Sequence, residues 1–204
     1  MSISGLEQAQ LALAGNKQGS LPLRDRRRIW AALGRRSAPG TPWVLHTAAL
    51  RKRFALGSLC VLNVMPRWES ALPQDNSPHE LLANAERYLN GQFSPEALLE
   101  QAANLRVHVD HLNFANGAEV IEHHVGNAAA SAAMIALVDE RFDQNDSEPT
   151  ATEFDIDPHD WDAAFFASIV CAGGTPANPK ANINLRRTFW TWYLDVAVPS
   201  VACS

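Results

Sequence analysis

Cysteine is scarce in this sequence, and the three present, Cys60, Cys171 and Cys203, match no C-x-x-C metal or redox spacing. An odd, scattered set argues against a disulfide framework and for a reducing compartment. No apolar run approaches the roughly 20 residues needed to span a bilayer. The first nineteen residues carry Glu7 and several glutamines where a secretory signal would carry a positive end and an apolar core. The cytoplasm is therefore the expected compartment. G-x-S-x-G is absent, as are H-E-x-x-H and E-x-x-H. The one Gly-Gly pair, Gly173-Gly174, precedes Thr175-Pro176 with no Walker lysine. Hydrolase, P-loop and zinc-protease chemistry are thus left without their motifs.

What is present is ordinary for a globular chain. At 204 residues, with 47% hydrophobic and 19% charged residues, the length suits one domain, and disorder or low complexity is excluded. A domain of this size buries roughly 70% of its unfolded surface and needs no covalent staple. The net charge of -5 conceals an asymmetry. Residues 1–60 hold ten Lys/Arg against Glu7 and Asp25, a balance of +8; residues 61–204 hold seven against twenty, a balance of -13. The extreme is 139–162, with ten acids against Arg141 alone.

Helix punctuation is frequent and strand punctuation almost missing. Ser77-Pro78-His79-Glu80, Ser94-Pro95-Glu96 and Asp157-Pro158-His159-Asp160 each read as cap, proline and early acid. Ser77 with Glu80 and Ser4 with Glu7 have capping-box spacing. Gly34, Gly91 and Gly173-Gly174 stand where helices should stop. Leu50, Phe54, Val61, Met65 and Trp68 recur at helical spacing, which predicts a central helix buried on most sides. Further seams run through Leu81–Leu89, Leu98–Leu112, the Ala-rich Ile121–Ile135, Trp161–Ala172 and Phe189–Ala197, with shorter helices around Leu6–Ala14 and Leu23–Leu33. The expectation is an all-α fold of about seven helices. It divides into a short helical arm over 1–20 and one helical domain over 21–204, with an acidic loop near 143–157.

Three chemistries compete for the polar residues. His108, His111, Glu122 and His124 would supply His and carboxylate from two helices, the raw material of a divalent-metal site in a bundle. Their helical registers diverge, so ordinary structural histidines are the plainer reading. Arg24, Arg26, Arg27 and Arg28, with Arg35, Arg36, Arg51, Lys52 and Arg53, could contact phosphate. A solvated basic face and internal pairing with the acidic half are equally plain, and the negative remainder would repel nucleic acid. The acidic stretch is either a solvated loop or a docking surface for a basic protein, since complementary charge steers association. Trp161, spaced for burial beside Phe165, reads as a core anchor, and Cys60 as inert packing.

The order of segments resembles the α-helical bacterial immunity protein five family, encoded beside polymorphic secreted toxins. The resemblance is carried by Leu50-Arg51-Lys52-Arg53-Phe54-Ala55-Leu56 through Val64-Met65-Pro66, the helix after Ser77 with its Asn90-Gly91 stop, and Gly126-Asn127-Ala128. It is carried further by Asp157-Pro158, Trp161-Asp162-Ala163-Ala164, Ala172-Gly173-Gly174, Arg186-Arg187-Thr188-Phe189-Trp190 and Val198-Pro199. It spans roughly residues 43–201. It implies a protein that is not an enzyme, needs no cofactor and neutralises a toxin domain by occluding it. Asp157, Trp161 and Arg187 then read as fold determinants: a cap, a core anchor and a member of a buried ion pair. Glu148, Glu153, Asp155, Asp157 and Asp160 are the expected contacts with a basic face of that toxin.

Overall fold

The computed structural model describes residues 5–37, 43–115, 120–139 and 152–203. Every element among them is helical, and they pack as one body. In chain order they are α1 (Leu6–Gly15), α2 (Leu23–Ala32), α3 (Ala48–Ala71), α4 (Ser77–Leu89), α5 (Pro95–Ala115) and α6 (His124–Val138), the last entered through a 3-10 turn at Ile121–His123. Two further 3-10 turns, Glu153–Asp155 and Pro158–Asp160, lead to α7 (Ala163–Ala172). The chain ends in α8 (Ile183–Trp192), a π-helical turn (Tyr193–Ala197) and α9 (Val198–Ala202).

The helix buried on nearly every side is α6, whereas α3 shows one long face to solvent. Its small residues explain why α3, α4, α5 and α7 can all pack on it. Gly57 of α3 faces Ala132, and a Cβ at Gly126 would stand 2.6 Å from Val109 Cγ2 and 3.1 Å from the Trp68 ring. Close approach is what alanine and glycine allow; a larger residue would part the helices.

Caps follow the sequence reading in part. Thr47 accepts from the Leu50 amide at 3.1 Å, Ser94 from Ala97 at 3.2 Å, and α7 ends on Gly173 in the left-handed region at φ 73°. Asp157-Pro158 opens only a single 3-10 turn, and α7 starts later under Asp162, which accepts from the Phe165 amide at 2.9 Å. Ser77 lies inside α4 rather than capping it: Asp75 takes the Ser77 amide, and the Glu80 amide bonds the Asn76 carbonyl. Ser4 lies outside the described residues.

The π turn precedes Pro199, which cannot donate to the carbonyl four residues back and crowds that turn, so the helix widens. On this rod α1 is fastened by arginines. Arg187 donates to the carbonyls of Leu13 (2.6 Å) and Asn16 (2.7 Å), and Arg186 to Gln18 (3.1 Å) and Gly174 (2.6 Å). In place of the ion pair expected of Arg187, its described partners are carbonyls at and just beyond the end of α1.

Candidate interaction surface

The basic and acidic halves of the chain meet inside the fold. Arg26, only 1% exposed, lies on the inner face of α2 one turn from Leu23 and Trp30. Its guanidinium reaches Glu153 Oε1 at 2.6 Å and Asp162 Oδ2 at 2.9 Å, and donates to the Leu21 carbonyl at 3.0 Å. It also sits over the rings of Phe165 and Trp190. Burial pulls its pKa down, and the two carboxylates more than offset that, leaving it raised. Arg53, also 1% exposed, makes a two-pronged pair with Asp139: Nε to Oδ1 at 2.7 Å and Nη2 to Oδ2 at 2.6 Å. Of the basic residues expected to face phosphate, these two are therefore internal, and Arg24 and Arg28 are paired with Asp25.

Arg26 builds the described part of the acidic segment onto the core. The Glu153 carboxylate turns inward to it, and the Glu153 carbonyl accepts from Trp161 Nε1 at 2.7 Å. Trp161 is the core anchor its spacing predicts, edge-on to Phe165 with centroids 5.0 Å apart, its carbonyl held by Ser131 Oγ at 2.9 Å. Asp155 accepts the Thr152 amide at 2.8 Å and its hydroxyl at 2.9 Å, and these bonds hold its carboxyl below the usual range. Asp157 caps the next turn through the His159 amide at 2.8 Å. Asp155, Asp157 and Asp160 are exposed; burial lowers the pKa of Arg106 on α5, and Asp160, Asp157 and Asp110 only partly oppose that. Of the expected contacts, Asp155, Asp157 and Asp160 are exposed, Glu153 faces the interior, and Glu148 lies outside the described residues.

The histidines do not converge. His108 Nε2 bonds Asp75 Oδ2 at 2.8 Å, His111 is exposed on α5, Glu122 lies in the 3-10 turn, and His124 stacks on Phe166. Among the described residues no three His, Cys, Asp or Glu side chains form a metal-ligating group. His108 and His123 instead meet the edge of Trp68, and His123 Nδ1 bonds Asn113 Oδ1 at 2.7 Å. Burial pushes the His123 pKa down, with His124 and His108 adding to that and Glu122 opposing it. The unfolded chain then binds more protons at this site below the ordinary histidine value of 6.5. Stability from His123 is present above that pH and lost as pH falls through it. The melting temperature should drop between pH 7.5 and 5.5, and drop less in His123→Gln, as differential scanning fluorimetry would show.

Thiol chemistry finds no footing in buried Cys60 or half-buried Cys171. Burial pushes Cys60 well up and Cys171 to about 11, so neither is a thiolate at neutral pH. A shallow groove of about 300 Å³ is lined by Gln10, Leu13, Ala14, Arg187, Thr191, Leu194 and Asp195. Its charged groups are committed to the fold, Arg187 to carbonyls and Asp195 to Gln10 at 2.9 Å. No described helix is long and apolar enough to cross a membrane.

The described residues form an all-helical fold. Over residues 6–200 the chain matches the family described as Immunity protein Imm5, and it belongs to that family. The match takes in α1 and α2, which the resemblance over 43–201 had left out. No curated protein matches the chain.

Proposed function

We propose that the chain neutralises one cognate secreted toxin domain in the bacterial cytoplasm, binding it one to one and occluding it without catalysis, as one half of a polymorphic toxin system used in competition between bacteria. Membership of the immunity family over 6–200 carries this reading. Asp155, Asp157 and Asp160 meet a basic face of the toxin, joined by Glu148. Glu153 serves the same surface from within, since its carboxylate is spent on Arg26 while its backbone shapes the turn. Rim charges of this kind act mainly on association rate and specificity.

The deciding experiment is rescue. Co-expression with the toxin domain encoded beside this gene should restore growth, and the two chains should co-purify at equal stoichiometry. Failure to rescue would overturn the reading. The contact residues have their own test in Asp155→Asn, Asp157→Asn and Asp160→Asn combined, which removes three charges while asparagine still caps the turn at 157. Association should slow about tenfold at low salt and lose most of its salt dependence. Stopped-flow rates unchanged by the triple substitution would remove these three residues from the interface.

A further inference from the structure

The Glu153–Asp155 turn is tied at three points. Asp155 closes it onto Thr152, the Glu153 side chain is anchored on Arg26, and the Glu153 carbonyl is anchored on Trp161. The residue between those two, Phe154, is 53% exposed. Its ring rests edge-on against Trp161, centroids 6.5 Å apart at 87°, and one side faces water. The turn is tethered at three points while its apolar side chain is half exposed, so ordering the ring on binding costs little entropy. Half-exposed aromatics held in this way are what partner pockets desolvate, and rim charges alone do not give slow dissociation.

We infer that Phe154 is the apolar anchor of the partner interface, seated in a toxin-domain pocket whose rim carries Lys or Arg side chains. The inference rests on the proposed toxin-binding role and adds to it the part that sets residence time. The chemistry of the occupant follows from charge complementarity: Asp155, Asp157 and Asp160 lie exposed within six residues of the ring, in the most acidic stretch of the chain.

The test measures binding of the full chain to a catalytically disabled toxin domain encoded beside the gene, with melting temperatures in parallel. Phe154→Ala should dissociate about 30-fold faster or more, with association within about threefold of the parent. Its melting temperature should stay within about 2 °C, because the lost contact is one face of one ring. Phe154→Trp should bind like the parent, the pocket accepting an aromatic. Dissociation unchanged in Phe154→Ala would overturn the anchor while leaving toxin binding intact. A melting temperature lowered by about 10 °C or more would make the ring part of the core and overturn it as well. Parent protein that does not bind at all would end both readings.

Discussion

Asp139→Asn is expected to cost about 3–5 kcal/mol of unfolding free energy, a drop on the order of 10 °C in melting temperature. The position is chosen so that only charge changes. Asp139 ends α6 in the left-handed region at φ 47°, the one non-glycine described residue with positive φ, and asparagine tolerates that conformation as well as aspartate does. The shape of the helix end is kept, but the Arg53 guanidinium, 1% exposed, loses the carboxylate charge of its two-pronged partner. Its bonds to the carbonyls of Gly34 at 3.0 Å, Arg35 at 3.3 Å and Trp30 at 3.4 Å are to dipoles, which do not replace a carboxylate. The Ser37 amide, which donates to Asp139 at 2.9 Å, loses part of its partner too, loosening the segment between α2 and α3. Urea unfolding checks this through the midpoint at constant slope. The double variant Arg53→Met with Asp139→Asn should lose much less than the two singles together, since neither charge is then stranded. A single-variant loss under about 1 kcal/mol would mean that the pair is solvated.

That pair shows what the sequence could and could not reveal. Hydrophobic spacing placed the helices because a 3.6-residue period is a local property, written in Leu50, Phe54 and Trp68 or in Leu98, Ala102 and Leu105. Cap chemistry at Ser94 and Gly173 is equally local. Arg26 and Arg53 belong to basic runs, and run by run they look like solvated faces. Yet Leu23, Arg26 and Trp30 share one stripe, as do Leu50, Arg53 and Gly57, and Arg186, Phe189 and Tyr193. A cation on an apolar seam is a demand for a buried acceptor, and that signal was available. Its partner was not, because Asp139 and Glu153 are 86 and 127 positions away. Glu153 is indistinguishable in composition from the exposed acids around it. The same holds for Phe154: alternation along a three-residue turn follows from tertiary ties to Arg26 and Trp161, not from any period.

Arg26→Met should be the more severe of the two substitutions for function while costing a similar 3–5 kcal/mol of stability. One residue here neutralises two carboxylates from different elements, Glu153 in the docking turn and Asp162 at the start of α7. Methionine fills the space between Phe165 and Trp190 but leaves both acids buried and repelling each other. Arg26→Lys keeps the charge, yet a single ammonium lacks the fork that spans the two acceptors and should recover only part of the loss. Because Glu153 is pulled outward in search of water, the turn carrying Phe154 and Asp155 loses its fixed shape. Association with the toxin domain should therefore slow even at temperatures where the variant stays folded. Adding Glu153→Gln and Asp162→Asn to Arg26→Met separates the two effects, since all three members become neutral at near-constant volume. Stability should then return toward the parent, and asparagine still offers an acceptor to the Phe165 amide. The exposed acids are untouched in that triple variant, so the association rate and its salt dependence should return with the fold. A triple variant that is stable but still slow to associate would place the Glu153 charge itself in the encounter, which its inward orientation argues against.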